Sequence, residues 1–220
     1  MSKILETLLD RYPVLLSCRE DIEASAQRIG DSFARGGKLL IAGNGGSAAD
    51  AEHIVGELMK SFVLPRPLDA SLMERMRKID PQRGALLAQH LQQGLPAIAL
   101  DGHPALSTAF QNDCEPQLVF AQQVIGYGRE GDALLAISTS GNSENVLYAA
   151  IAAKAKGMAI IGLTGARESR LSALADTCIR VPATETYQVQ ELHLPVYHAL
   201  CMMWEKRFFW SRLKREHPGL

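Results

Sequence analysis

An apolar run of five residues, KLLIA (38–42), leads directly into the segment GNGGSAAD (43–50). The run has the length and composition of a buried strand, and helical periodicity begins at residue 48. Glycines allow backbone N–H groups to turn toward a ligand, and the N-terminus of a helix adds partial positive charge. The segment therefore predicts a strand, an anion-binding loop and a helix, in that order.

Four further apolar runs alternate with segments of helical periodicity. The predicted strands are 96–100, 132–137, 158–163 and 177–181, and the predicted helices are 48–62, 115–123, 143–156 and 169–175. This alternation predicts an α/β fold, a doubly wound five-stranded parallel sheet with helices on both faces. The expected strand order is the flavodoxin-like one, 2-1-3-4-5.

The length of the chain indicates one main domain. With 220 residues, 47% of them hydrophobic, it has material for one sizeable core. We expect N-terminal helices for oligomerisation in 1–35, the main domain in 36–209 and a tail in 210–220. A long apolar segment, 188–209, is expected to pack against another subunit. The insertion 64–94 could be a lid over a site or a solvated excursion, and the second interpretation is favoured.

A second polar loop, 138–143, follows the third predicted strand. It contains Ser138, Thr139, Ser140 and Ser143, and four hydroxyl groups beside a helix N-terminus can hold a phosphate through neutral hydrogen bonds. Ser143 could instead be only an N-cap. Strands one and three are neighbours where the winding of the sheet reverses, so both loops are expected to face one ligand.

The glycine loop has two alternative interpretations. It fits the dinucleotide pattern G-x-G-x-x-A, which requires an acidic residue roughly twenty residues beyond the glycines, at the end of the second strand. Here the next predicted strand begins only at residue 96, and no Gly-Lys-Ser or Gly-Lys-Thr follows the glycines. We therefore expect no nucleotide cofactor. The other alternative is that the glycines only allow a tight turn from strand to helix and bind no ligand.

The charge balance argues against nucleic acid and membranes as partners. The chain has 23 Lys and Arg against 24 Asp and Glu, a net charge of -1, so no global field would hold it on a polyanion. No run approaches the roughly 18 apolar residues of a spanning helix, and the first residues lack a secretory pattern. We expect a cytoplasmic protein that recognises its ligand by local chemistry.

Two pairs of polar residues could carry acid–base chemistry. His53 and Glu57 are four residues apart on the helix behind the glycine loop and share a face. They could bind a metal together, or Glu57 could be a general base, although such a pair is more often a surface pair. Gln190 and His198 also share a face if their segment is helical. Pro195 could kink that helix or mark its start.

Several strings resemble the SIS-domain sugar-phosphate isomerases and, within them, the phosphoheptose (sedoheptulose 7-phosphate) isomerases. They are 43–53 with Glu57, Asn112-Asp113, 131–143, 162–165, and 190–193 with His198. The resemblance implies an enzyme that interconverts a ketose phosphate and an aldose phosphate, sedoheptulose 7-phosphate and D-glycero-D-manno-heptose 7-phosphate, through an enediol. It also implies a homotetramer with active sites at subunit interfaces. The alternative is a non-catalytic SIS module that binds a phosphosugar or a protein, as in regulators of transcription or replication initiation.

The resemblance also implies roles for individual residues. Glu57 would be the base and His198 the acid, and a zinc ion, where present, would be held by His53, Glu57, Gln190 and His198. The residues placed at the substrate are Asn44, Gly45, Gly46, Ser47, Asn112, Asp113, Ser138, Thr139, Ser140, Ser143 and Gln190. Many relatives carry Gly-Arg where this chain has Lys60-Ser61. A substrate-facing arginine is therefore either missing or supplied by Arg66 or the insertion.

Overall fold

The computed structural model describes the backbone of residues 2–216 and the side chains of residues 3–210. Its centre is a five-stranded, all-parallel sheet in the order β2-β1-β3-β4-β5, which confirms the predicted fold class. Every strand end lies within one residue of its prediction. The strands are β1 (Leu39–Ala42), β2 (Ala97–Ala99), β3 (Ala133–Ile137), β4 (Ala159–Thr164) and β5 (Thr177–Arg180).

Helices cover both faces of the sheet. They are α1 (Ser2–Arg11), α2 (Arg19–Ala34), α3 (Gly46–Met59), α4 (Ala70–Ile79), α5 (Pro81–His90), α6 (Pro104–Asp113), α7 (Val119–Tyr127), α8 (Glu144–Ala155), α9 (Arg170–Leu174) and α10 (Thr186–Glu216). The helix predicted at 115–123 is displaced toward the C-terminus: Pro116–Leu118 forms a 3-10 turn, and the α-helix begins at Val119. The sequence analysis did not predict α6.

Alternating residues of the strands fill two separate hydrophobic layers. Leu39 and Ile41 point to the layer formed with α1, α2, α3 and α10. Leu40 lies on the opposite face, in the layer formed with α7, α8 and α9. Because every residue of β1 and β3 is buried, these strands show the continuous apolar runs of a parallel sheet covered on both sides.

The insertion at 64–94 is a helical hairpin. Helices α4 and α5 meet where Gly84 approaches the backbone of Met76 so closely that any side chain at position 84 would collide with it. An antiparallel bridge between Pro67 and Gln92 ties the base of the hairpin together. Within α4 and α5 only Gly84 and Ala88 are buried, so the hairpin contributes little to the core.

The last helix, α10, is continuous through Pro195, which is buried within it. It passes residue 209 and extends to Glu216. The Trp204 indole donates a hydrogen bond to the Ala26 carbonyl at 2.9 Å, which fixes α10 against α2. Neither this helix nor any other in the described part of the chain combines the length and apolar character needed to cross a bilayer.

A buried ion pair fixes α10 to the segment that follows α3. Arg66 and Glu205 are each 1% exposed and are joined at 2.8 Å. The Glu205 carboxylate also accepts hydrogen bonds from the backbone N–H groups of residues 62–64, at 2.9 to 3.0 Å. The Arg66 guanidinium donates to the carbonyl oxygens of Leu58 and Glu57, at 2.7 and 3.0 Å. Both charged groups therefore have backbone hydrogen-bond partners in addition to each other.

We expect Glu205→Gln to destabilise the protein by about 3–5 kcal/mol, because it leaves the Arg66 charge buried without its counter-ion. The free energy of unfolding from urea titration measures this loss. Glu23→Gln, an exposed change on α2, is the control and should stay within about 0.5 kcal/mol of the parent protein. Equal stability of the Glu205→Gln variant and the control would show that the ion pair contributes little.

Candidate active site

The strand order brings the loops after β1 and β3 side by side. The side-chain amides of Asn44 and Asn145 exchange two hydrogen bonds, at 2.9 and 2.8 Å, and so join the glycine loop directly to the first turn of α8. The sequence analysis missed Asn145, because only its position two residues after Ser143 links it to the loop. The two loops therefore form one continuous surface at the carboxyl edge of the sheet.

The glycine loop owes its shape to particular glycines. Gly45 has a φ of 56°, in the region that favours glycine. A side chain at Gly46 would collide with the amide of Gln190, so α10 contacts the loop at this point. Gln190 thus lies at the N-terminus of α3, next to the exposed backbone of Gly45 and Gly46. Ser47 is buried beneath it.

The second polar loop, 138–143, forms part of a small polar cavity of about 160 Å³. Thr139 and Ser140 line this cavity, together with Arg167 from the turn after β4. Ser138 and Ser143 lie behind them and share a hydrogen bond of 3.0 Å between their hydroxyl oxygens. Ser143 occupies the N-cap position of α8, but its side chain makes no capping hydrogen bond. A phosphate here would meet hydroxyl groups, the N-terminus of α8, one arginine and also Glu168, which lines the same cavity.

The two helices that carry the acid–base candidates meet at His53. Its Nε2 atom lies 3.2 Å from Glu57 Oε1 and 3.4 Å from His198 Nε2. The Glu57 side chain is 14% exposed, whereas that of His53 is 42% exposed. The structure therefore brings Glu57 and His198 to the same imidazole nitrogen, although 141 positions separate them in the sequence.

Burial lowers the pKa of His198, the neighbouring His53 lowers it further, and the Glu57 carboxylate opposes both effects. The neutral imidazole is thus favoured at position 198. The ring of Phe62 lies 5.5 Å from that of His198, which shields one side of the imidazole from water. A neutral imidazole can accept a proton near neutral pH and, as the imidazolium it then becomes, can donate it again.

Tyr197 is a buried member of this cluster that the sequence analysis missed. Its hydroxyl donates to Asp50 Oδ1 at 3.1 Å and lies 3.1 Å from His53 Nδ1. Burial and the Asp50 carboxylate raise the pKa of Tyr197 far above its usual value, so the phenol keeps its proton. Burial also raises the pKa of Asp50. A tyrosine inside an apolar run gives no signal of this contact in the sequence.

His193, within the same motif, has a structural position. It is fully buried and lies 3.3 Å, through Nε2, from the carbonyl oxygen of Thr164 at the end of β4. Burial lowers its pKa to about 4, so the ring is neutral near physiological pH. His193 therefore helps to hold α10 on the sheet and does not face the cluster around His53.

Asn112 and Asp113 lie at the C-terminal end of α6 and are exposed. Their side chains contact each other at 2.9 Å. Within residues 3–210 the structure gives neither side chain a hydrogen bond to the two loops or to the His53 cluster. Their role at the substrate stays a prediction.

The Arg66 guanidinium is not free to contact a substrate, so the option that Arg66 supplies the substrate-facing arginine is wrong. Its guanidinium is buried and held by Glu205 and by the carbonyl groups at the end of α3. The cation beside the candidate base is instead Lys60, whose Nζ lies 3.4 Å from Glu57 Oε2. The Lys60 side chain remains 62% exposed.

A larger groove opens on the other side of His198. It has a volume of about 630 Å³ and lies between α1 and α10. Its lining is mainly apolar and includes Ile4, Leu8, Tyr12, Leu194 and Met202. His198 therefore separates the polar cluster from an open apolar groove that includes the N-terminal helix.

Comparisons with known proteins agree with this architecture. The SIS domain family matches residues 14–93 and 82–165. The phosphoheptose isomerase of Rhodospirillum rubrum is 38% identical over 196 residues, which cover 89% of this chain and 90% of the relative. That of Thiobacillus denitrificans is 42% identical over 183 residues, covering 82% and 80%.

Two solved structures show the same fold. The phosphoheptose isomerase of Francisella tularensis superposes with a TM-score of 0.73 at 30% identity, covering 93% of this chain and 96% of that one. The phosphoheptose isomerase of Neisseria gonorrhoeae gives a TM-score of 0.66 at 30% identity, covering 90% and 97%. The chain therefore belongs to the SIS-domain family and, within it, to the phosphoheptose isomerase family.

Proposed function

We propose that this protein is an aldose–ketose isomerase that converts sedoheptulose 7-phosphate to D-glycero-D-manno-heptose 7-phosphate. One observation carries the proposal: Glu57 and His198 lie 3.2 and 3.4 Å from the same nitrogen of His53, on the helix that begins at the glycine loop. The two relatives compared above, which each match more than 80% of the chain, are phosphoheptose isomerases.

The reaction needs a base and an acid but no redox cofactor. The Glu57 carboxylate removes a proton from C1 of the ketose, and the electron pair forms the C1–C2 double bond of an enediol. His198 supplies a proton to the oxygen on C2 as its carbonyl bond opens. Loss of the proton from the C1 hydroxyl and return of a proton to C2 then give the aldose, and both residues regain their starting states.

The phosphate end of the substrate is held by helix N-termini, hydroxyl groups and Arg167. The N-termini of α3 and α8 both face the joined loops, and helix N-termini bind anions through free N–H groups. Thr139 and Ser140 add hydroxyl donors. Seven residues separate Gly46 from His53 on α3, which is about 10 Å along the helix axis. This separation leaves room for a sugar chain between the phosphate and the cluster around His53.

The proposal predicts that Glu57→Gln lowers kcat by about 10²–10⁴-fold, because the amide cannot accept the C1 proton. Substrate binding, measured by calorimetry, should change little. The assay follows aldose formation and deuterium incorporation from deuterated water. Glu52→Gln, an exposed change on the same helix, is the control and should keep parental activity.

Two results would count against the isomerase. One is retention of turnover by Glu57→Gln. The other is the absence of exchange and conversion by the parent protein with five- to seven-carbon sugar phosphates, with and without zinc. Phosphosugar binding without turnover in the parent protein would favour the non-catalytic SIS module.

We also propose zinc as the metal of this site, held by His53, Glu57, Gln190 and His198. Two donors of a tetrahedral zinc ion, each about 2.0–2.1 Å from the metal, lie about 3.4 Å apart, close to the two spacings around His53 Nε2. Within the described residues no set of three or more His, Cys, Asp or Glu already stands in a metal-holding arrangement, so the proposal rests on the two pairs. When bound, zinc would act as a Lewis acid toward the substrate oxygens.

Zinc content of the untagged protein tests this proposal. After zinc loading and dialysis, elemental analysis should find about one zinc ion per chain. His53→Gln should lose it, whereas His90→Gln, on the exposed end of α5, should retain it. Absence of zinc from the parent protein, or equal retention by both variants, would contradict the assignment.

We further propose a homotetramer in which active sites lie at subunit interfaces and the N-terminal helices take part. The support is the apolar groove beside His198, which leaves hydrophobic residues such as Leu194 exposed at 40%. A neighbouring subunit on this groove would bury them and complete the wall of the site.

Light scattering coupled to size exclusion tests the assembly. The mass should be about four times the 24.0 kDa of one chain. Leu194→Arg should give smaller species with reduced activity, because it places a charge in the groove. Leu86→Arg, on the exposed face of the α5 hairpin, should leave the mass unchanged. A parent protein that is monomeric and fully active would refute the proposal.

A further inference from the structure

Arg170, the first residue of α9, is hydrogen-bonded to the second polar loop. Its Nη2 atom donates to the carbonyl oxygen of Asn142 at 3.0 Å, and its Nε atom donates to Asn142 Oδ1 at 3.4 Å. Its backbone N–H donates to the same Oδ1 at 3.2 Å. The backbone N–H of Leu171 donates to the carbonyl oxygen of Gly141 at 3.1 Å. Four hydrogen bonds therefore connect the start of α9 to the loop.

The loop also packs directly against the residue before Arg170. Gly141 has a φ of 65°, in the region that favours glycine, and a side chain at this position would collide with the Ser169 hydroxyl. The Ser169 hydroxyl is itself held, because it accepts a hydrogen bond from the backbone N–H of Ser172 at 3.2 Å. The conformation of the loop at Gly141 is therefore matched to the turn that carries Arg170.

Asn142 connects Arg170 to Ser140, which lines the polar cavity. The side-chain amide of Asn142 donates to the Ser140 carbonyl oxygen at 2.9 Å, and its backbone N–H donates to Ser140 Oγ at 3.2 Å. A hydroxyl group has one hydrogen. Because Ser140 Oγ accepts the hydrogen bond from Asn142, its own hydrogen is left for another acceptor. Ser140 is thus prepared to donate to a phosphate oxygen.

Arg170 also forms an ion pair with Glu144, which lies in the first turn of α8. Its Nη1 atom lies 2.6 Å from Glu144 Oε1. A carboxylate near a helix N-terminus stabilises the helix, but it also repels an anion bound at the same place. The guanidinium offsets this negative charge. One arginine therefore both holds the loop and reduces the repulsion between Glu144 and a phosphate.

We propose that Arg170 is a positioning residue for the phosphate of the substrate: it holds Asn142 and, through it, the Ser140 hydroxyl in the orientation that donates to the phosphate. Arg170 does not line the cavity, whereas Arg167 does, so Arg170 acts through the loop and Arg167 by direct contact. This inference rests on the sugar-phosphate substrate proposed above and adds a residue that determines how tightly it binds.

Binding and kinetics of Arg170→Met in the full-length protein test the proposal. The Kd for sedoheptulose 7-phosphate from calorimetry and the KM should both rise about 10-fold, the effect of losing one hydrogen bond to a charged group, while kcat stays near the parental value. Arg83→Met is the matched control, since Arg83 is also an exposed arginine in an ion pair of 2.8 Å. It should keep parental Kd, KM and kcat. A merely structural role would change the free energy of unfolding and leave KM unchanged.

Two double variants separate positioning from charge. Arg170→Met combined with Asn142→Leu should bind no more weakly than the weaker of the two single variants, because both changes break the same connection. Arg170→Met combined with Glu144→Gln should recover only part of the lost affinity. Additive losses in the first pair, or full recovery in the second, would overturn the positioning role.

The outcomes distinguish this proposal from the proposed function. Parental Kd and KM in a folded Arg170→Met variant would refute the role of Arg170 alone. If the parent protein binds the sugar phosphate without turnover, the isomerase function fails, but the calorimetric comparison of the variants still decides the role of Arg170. Absence of any sugar-phosphate binding by the parent protein would overturn the phosphate site and this proposal with it.

Discussion

The packing of α10 against α3 is the contact on which the candidate site depends. The base candidate and His53 lie on α3, and the acid candidate lies on α10, so neither helix forms the cluster alone. Two polar contacts fix their relative position: the Tyr197 hydroxyl between Asp50 and His53, and the Arg66–Glu205 ion pair near the end of α3. The ion pair is buried and the tyrosine contact is partly buried, and a shift there would leave polar groups without partners.

The Arg66–Glu205 pair has a direct structural relation to the base. Arg66 donates to the carbonyl group of Glu57 itself and to that of Leu58, the residue beside it. The last turn of a helix has carbonyl groups that lack partners within the helix, and the guanidinium satisfies two of them. The ion pair thus ends α3 and holds the base in place without contacting its carboxylate.

The sequence predicts the sheet better than it predicts the helices and the site. The strands are continuous apolar runs because both faces of the sheet are covered, and such runs can be identified without knowledge of tertiary structure. Helix α6 has no buried residue, so no apolar stripe marks it in the sequence. The motif around His53 and Glu57 could be identified from local spacing. Tyr197 and Glu205 lie in an apolar segment, and their partners are more than 130 residues away, so only the folded chain shows what they contact.

A single helix determines the distance between the two ends of the candidate site. The N-terminus of α3 faces the phosphate loops, and Glu57 lies eleven residues after Gly46, about 16 Å along the axis at 1.5 Å per residue. A helix is stiff over this length. The distance between the phosphate loops and Glu57 is therefore fixed for a substrate that is anchored by its phosphate. Lys60 and His53 flank the Glu57 carboxylate at one end of the site. Hydroxyl groups, Arg167 and helix N-termini surround the predicted phosphate position at the other end. The separation of these two environments along one rigid element explains how a loop motif and an acid–base motif can act on one ligand.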